Sequence, residues 1–150
     1  MPSRREFLTA SAALLVSQRL VAEAGRAAPS VVTVYKDAGC GCCKQWVKHL
    51  SANGFVVNAH DVSNMDEIKR TMLVPTDLQS CHTALVNRYV IEGHVPASDI
   101  TKLLAAKTPV HGLAVPGMPT GAPGMDGDHK DHYDVVAFTT DGKSHVFARY

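Results

Sequence analysis

The chain has 150 residues, a formal charge of +1, 45% hydrophobic and 19% charged residues, and four cysteines. That length suits one domain with a modest core. The near-neutral balance excludes the broad basic surface of a nucleic-acid binder, and no stretch supplies the about 20 apolar residues that a membrane-spanning helix needs. The chain opens with Arg4 and Arg5, follows with a small apolar run from Leu8 to Val16, and then offers Ala22-Glu23-Ala24 as a small-x-small cleavage site. This order is that of an export signal. Ser3-Arg4-Arg5-Glu6-Phe7-Leu8 resembles the twin-arginine address, which a receptor reads; an ordinary secretory signal carrying two arginines is the alternative. Residues 1–28 are therefore expected to be a leader cleaved near Ala24 to Ala28, and residues 29–150 a single periplasmic domain. Losing the leader takes away Arg4, Arg5, Arg19, Arg26, Glu6 and Glu23, which brings the formal charge from +1 to −1.

Along the mature part, Val31 to Tyr35 is a β-branched run that reads as a buried strand. A turn at Gly39 to Gly41 leads into a helix with Trp46, Val47 and Leu50 on one face, stopped by Gly54. Phe55 to Val57 begins a second strand. Asn64, three residues before Glu67, caps a second helix carrying Met65, Ile68 and Met72, and Pro75 ends it. Thr83 to Val86 and Tyr89 to Ile91 form a hairpin around Asn87-Arg88. A third helix starts at Ser98 with Ile100, Leu103 and Leu104 inward. Val110 to Tyr133, rich in Gly, Pro, Met and His, reads as an extended loop. Val135 to Thr139 and Ser144 to Phe147 make a terminal hairpin across Asp141-Gly142. The order strand, helix, strand, helix, strand, strand, helix predicts an α/β fold: a thioredoxin-like mixed sheet flanked by helices, with a Gly/Pro/Met-rich loop and a C-terminal β-hairpin.

The cysteines carry the chemistry. An exported chain with four of them suggests two structural disulfides, but three fall within Cys40-Gly41-Cys42-Cys43, and adjacent cysteines rarely meet disulfide geometry with each other. Clustering is what a ligand set or a redox motif needs. The motif lies between the first strand and the first helix, where free backbone N–H groups and the helix dipole favour negative charge. Thiolate is the form that attacks disulfides and binds metals. Cys40 and Cys43 have the spacing of a redox pair; Cys42 is a third sulfur which such a pair does not need. Cys81 and His82 open the third strand, beside that turn in thioredoxin-like folds. Counting outward from Asn87-Arg88 pairs Cys81 with His94, and opposed residues have Cβ atoms about 4.5–5.5 Å apart.

Soft thiolates select Cu(I), zinc or iron–sulfur clusters. Structural zinc usually has Cys-x2–4-Cys knuckles at both ends, whereas Cys81 stands alone, and the compact run fits iron–sulfur spacings poorly. Copper is the expected cofactor, with more than one ion as a hypothesis, because thiolates can bridge Cu(I). Met118 and Met125, in loop turns, are soft candidate ligands with loop packing as an equal alternative. His82 and His94 complete the candidate metal set of Cys40, Cys42, Cys43, Cys81, Met118 and Met125. His129 and His132 read as a solvated loop, and His49, His60, His111 and His145 as ordinary histidines.

Cys40-Gly41-Cys42-Cys43, Ser80-Cys81-His82-Thr83-Ala84, Glu92-Gly93-His94-Val95-Pro96-Ala97 and Gly112-Leu113-Ala114-Val115-Pro116-Gly117-Met118-Pro119 resemble the DUF411 family, whose named members are CopG-type periplasmic copper resistance proteins. The resemblance runs from about Val31 to Met125 and implies a thioredoxin-like fold, copper held by Cys40, Cys42, Cys43 and Cys81, and a role in copper resistance or homeostasis in which Cu(I)/Cu(II) redox chemistry is open. Ala38, Met72-Leu73 and Arg88 depart from the usual pattern without removing a ligand. Copper ions are the expected partner, other periplasmic copper-handling proteins are left open, and no nucleic acid is expected. The competing readings are a thiol–disulfide oxidoreductase using Cys40 and Cys43, and a small module stapled by two disulfides.

Overall fold

The computed structural model describes residues 28–150; apart from Ala28, the leader expected over residues 1–28 lies outside the described residues. The elements in chain order are β1 (Val31–Lys36), α1 (Gly41–Ala52), β2 (Val56–Asp61), α2 (Met65–Thr71), a 3-10 turn (Thr76–Leu78), β3 (His82–Val86), β4 (Tyr89–Glu92), α3 (Ala97–Ala106), β5 (Gly112–Ala114), β6 (Asp134–Phe138) and β7 (Ser144–Arg149). The strands form one seven-stranded sheet in the order β2-β1-β3-β4-β5-β6-β7. β1 with β2 and β4 with β5 are parallel, and the remaining pairs are antiparallel. The α/β class, the mixed sheet and the C-terminal hairpin are those expected. Among the described residues no helix is long and apolar enough to cross a membrane.

Alternation along the strands divides the core between the two faces of the sheet. Val32, Val34, Ala84, Val86 and Ile91 meet Trp46 and Leu50 of α1 and Ile100 and Leu103 of α3 on one face. Leu85, Val90, Val136 and Phe138 meet Met72, Val74 and Leu78 on the other. Each large apolar side chain so buried contributes roughly 1.5–3 kcal/mol. α1 lies along the sheet because its apolar residues recur at helical spacing. Its Trp46 is tied down further by Nε1–H donating to the Val95 carbonyl at 2.9 Å.

The hairpin has the expected two-residue turn: Val86 pairs with Tyr89, Leu85 with Val90, Ala84 with Ile91 and Thr83 with Glu92. Asn87 takes the left-handed conformation with φ 52°, which asparagine tolerates better than most residues. The pairing continues as Gly93 N–H donates to the His82 carbonyl at 3.0 Å, so Cys81 and His94 come next in register.

Two expectations are corrected. The segment read as an extended loop from Val110 to Tyr133 contains a strand, β5, which pairs with β4 and β6. Its three residues are too few to show a period of two, and it opens on Gly112, where a Cβ would lie 2.0 Å from the Val90 carbonyl oxygen. Only glycine can pass there. The third helix starts at Ala97 rather than Ser98, and Pro96, its N-cap residue, makes no side-chain cap. A residue distant in sequence caps it: His49 Nε2 accepts from Ala97 N–H at 3.1 Å.

Candidate metal centre

The end of β1, the start of α1, the start of β3 and the segment after β4 converge at one end of the sheet. Cys40 is the N-cap of α1, and its sulfur accepts from the Cys43 N–H at 3.3 Å. It therefore sits against the positive end of the helix dipole. Asp37 shapes the preceding turn: its carboxylate accepts from Gly39 N–H at 2.7 Å and its carbonyl from Cys40 N–H at 3.1 Å. Helical geometry then carries Cys43 inward, fully buried, and leaves Cys42 half-buried beside it.

Cys81 meets this group from β3. Its sulfur lies 3.5 Å from that of Cys43 and 3.8 Å from that of Cys42, and Cys42 is 3.5 Å from Cys40. All four sulfurs fall within 4.8 Å of one another. Cys40 and Cys43 are joined as a disulfide, while Cys42 and Cys81 are free. Burial, with Cys42 beside it, pushes the Cys81 thiol up to about 12, so a metal bound there displaces a proton.

Two buried histidines face the same sulfur. Cys81 Sγ is 3.1 Å from His94 Nε2 and 3.3 Å from His82 Nδ1, and the three ligand atoms form a second group within 4.8 Å. The other nitrogen of His94, Nδ1, is 2.8 Å from the Pro123 carbonyl. A carbonyl only accepts, so Nδ1 carries the proton and Nε2 presents its lone pair to the sulfur. This is how a metal-binding histidine is usually held, with its second nitrogen donating to a fixed acceptor. Burial holds His94 below the usual imidazole range, against the opposing effect of the Pro123 carbonyl.

His82 is also buried, its ring against Trp46 with centroids 4.4 Å apart, and its Nε2 has no hydrogen-bond partner among the described residues. A bare lone pair is cheaper to bury than an orphaned N–H, so the proton belongs on Nδ1, facing Cys81. Burial, followed by the neighbouring His94 and Lys69, holds its pKa well below the ordinary value. Both imidazoles are thus neutral bases around one sulfur.

Behind the centre runs a buried polar network that the sequence reading missed. Lys69 Nζ donates to Glu92 Oε1 at 2.5 Å and to Thr83 Oγ1 at 3.1 Å, and Thr83 Oγ1–H donates to Glu92 Oε2 at 2.6 Å. Glu92 Oε1 also accepts from Ser80 N–H at 2.7 Å, which fixes the backbone immediately before Cys81. Burial raises the Glu92 pKa, and Lys69 opposes the rise. The available signal was an acid within the apolar strand β4, whose four residues are all buried.

The loop after β5 folds over the centre. Ser80 Oγ–H donates to the Gly117 carbonyl, Gly117 N–H donates to the Gln79 carbonyl at 3.2 Å, and Pro123 holds His94. Gly124, with φ 83°, passes so close to α1 that a Cβ would lie 2.7 Å from Trp46 N and 3.0 Å from the Cys42 carbonyl oxygen. Met118 flanks one anchor and is 55% exposed; Met125 follows the other and is half-buried. Of the candidate ligands, the four cysteines, His82 and His94 are brought together, and the methionines lie on the loop that borders them.

A part-buried sulfur cluster at a helix N-terminus, faced by two buried imidazoles on an α/β sheet, defines a thiol protein with a side-chain group capable of holding a metal. The family model described as "Protein of unknown function, DUF411" matches residues 78–125. Two solved structures, "Copper resistance protein copG" in Form 1 and Form 2, are each 48% identical, cover 81% of this chain and 98% of their own, and superpose with a TM-score of 0.77. A comparison with curated proteins returns no match. The chain belongs to the CopG copper resistance protein family.

Proposed function

We propose that the protein is an exported, periplasmic copper-binding protein that holds Cu(I) through Cys40, Cys42, Cys43 and Cys81, with His94 as a nitrogen ligand at one side, and that it serves copper resistance or homeostasis. The observation that carries this reading is the approach of all four sulfurs to within 4.8 Å of one another, on a chain 48% identical to a protein described as a copper resistance protein. Thiolates are soft and suit Cu(I), and a set this close can bridge more than one ion. The ligand set is complete only when Cys40 and Cys43 are reduced. His82 keeps Cys81 oriented by donating to it, while Met118 and Met125 offer thioethers at the rim. The leader at residues 1–28 delivers the domain of residues 29–150 to the compartment where copper is handled.

The Cys40–Cys43 disulfide favours a second reading, a thiol–disulfide oxidoreductase. That reading leaves the Cys42, Cys81 and His94 contacts without a role. An anaerobic Cu(I) titration of the reduced protein against a competing chelator, with thiols counted in parallel, separates the two. Tight uptake that protects all four thiols is expected. No uptake beyond the chelator, with Cys40 and Cys43 oxidising readily as a pair, would establish the second reading.

A further inference from the structure

Helix α1 serves the centre twice. Its first turn carries Cys42 and Cys43, and further along it Trp46 and His49 reach the segment that follows His94. Trp46 Nε1–H donates to the Val95 carbonyl at 2.9 Å, and His49 Nε2 accepts from Ala97 N–H at 3.1 Å. Residues three apart on a helix lie on one face. Val95 and Ala97 flank Pro96, which is extended with ψ 139° and has no N–H to offer. The step along the helix thus matches the step along the extended chain, and α1 takes the place of a neighbouring strand. Val95 N–H is satisfied within the segment, by the Gly93 carbonyl at 2.9 Å. The backbone just beyond His94 is therefore tied to the helix that holds two of the sulfurs.

We propose that His49 is a positioning residue for the metal centre: with Trp46 it locks Val95–Ala97, and through that segment the His94 imidazole, to α1, and its half of the lock opens in acid. The consequence for the ion rests on the copper-binding reading above; the lock itself belongs to the copper-free protein. An imidazole nitrogen accepts only while it is bare. A proton on Nε2 removes the acceptor from Ala97, a residue 2% exposed, and sets a cation at the positive end of α3, where the helix dipole opposes it. Burial lowers the His49 pKa. The charged and titratable neighbours on the elements packed around this junction are Lys48 on α1, Asp99 and Lys102 on α3, Tyr150 beyond β7 and Asp126 on the loop that crosses α1; none of them shares in that shift. Asp99 is already engaged, accepting from Lys102 Nζ at 3.0 Å and from Tyr150 Oη–H at 2.8 Å. The lock is thus closed at neutral pH and opens below the ordinary imidazole value of about 6.5. Acid then loosens the nitrogen side of the centre from the sulfur side.

The test pairs two measurements from about pH 7.5 down to about pH 5.5, a range that brackets imidazole titration: anaerobic Cu(I) competition against a chelator, and hydrogen exchange of the Ala97 amide in the copper-free protein. His49→Gln keeps an acceptor that does not titrate, and His49→Ala keeps none. Over that range the wild-type affinity for Cu(I) should fall about 10-fold further than that of His49→Gln, the scale of one hydrogen bond. The two profiles should become parallel when His94 is also changed to Gln. The Ala97 protection factor should drop with pH in the wild type, hold in His49→Gln and stay low in His49→Ala. Parallel affinity profiles without the His94 change, or a difference that survives it, overturn the positioning role. Ala97 protection that ignores pH in the wild type overturns the lock. A wild type that takes up no Cu(I) at any pH overturns the copper reading and with it the consequence for the ion, while Ala97 exchange still decides the lock.

Discussion

At the scale of single residues, Cys42 and His94 carry the distinction between the proposed metal centre and a plain redox pair. Cys42 touches sulfur on two sides, Cys40 at 3.5 Å and Cys81 at 3.8 Å, and is not part of the disulfide. Cys42→Ser replaces a soft ligand by a hard one and should cut Cu(I) stoichiometry, or lower affinity at least 10-fold, in the chelator competition; an unchanged isotherm would remove Cys42 from the ligand set. His94→Gln retains polar capacity but loses the imidazole lone pair that faces Cys81. It should weaken copper binding by about 10–100-fold, the usual scale for groups that tune a metal site, with the far-ultraviolet circular dichroism unchanged. The pairing of Cys81 with His94 was legible in the sequence because a two-residue turn fixes every later register position. The role of Pro123 was not: a backbone carbonyl leaves no mark on residue identity.

At the scale of elements, β3 and β4 hold the centre through the Lys69–Thr83–Glu92 network. Glu92 accepts from Lys69, Thr83 and Ser80 N–H, so Glu92→Ala would leave the buried Lys69 ammonium without its counter-ion, with only Thr83 to accept from it, and free the backbone before Cys81. Removing one member of a buried pair costs about 3–5 kcal/mol. Urea denaturation of the apo protein should show a loss of that order, and copper affinity should fall with it; a loss under 1 kcal/mol would mean that the network is solvated. The junction of α1 with α3 makes a prediction about pH. His49 accepts from Ala97 N–H only while neutral, and burial lowers its pKa from 6.5. A histidine with a depressed folded-state pKa contributes stability that is intact above the unfolded value and is lost as pH falls below it. The melting temperature of the apo protein should therefore decline below about pH 6.5 more steeply than that of His49→Gln, whose amide oxygen can accept without titrating. Parallel curves would show that His49 is no cap. The element order was legible because apolar periodicity and the turn residues agree with the fold. β5 was not, being three residues long and opened by a glycine whose reason lies in the neighbouring strand, and the His49 cap joins residues 48 positions apart.

At the scale of the whole molecule, one end of the sheet gathers the candidate ligands from α1, the start of β3 and the segment after β4, and the loop after β5 closes beside them. The helices and the 3-10 turn cover the central strands, β2 and β7 stay largely exposed, and polar and soft groups collect at that end. Two core clusters, one on each face, make the frame on which sulfurs are held a few ångströms apart before any ion arrives. The cysteine motif and the Cys81-His82 pair made the centre itself legible, since sulfur in such density has few structural uses. The loop's closure depends on Gly124 passing over α1 and on Ser80 holding Gly117, contacts that only the folded chain displays. The central claim is that these sulfurs hold copper. X-ray absorption at the copper edge, on the reduced protein loaded with one equivalent of Cu(I), tests it most directly. The account predicts an edge typical of Cu(I) and a nearest shell dominated by sulfur, with less sulfur when Cys81 is replaced by serine; a shell of nitrogen and oxygen alone, unchanged in that variant, would contradict it.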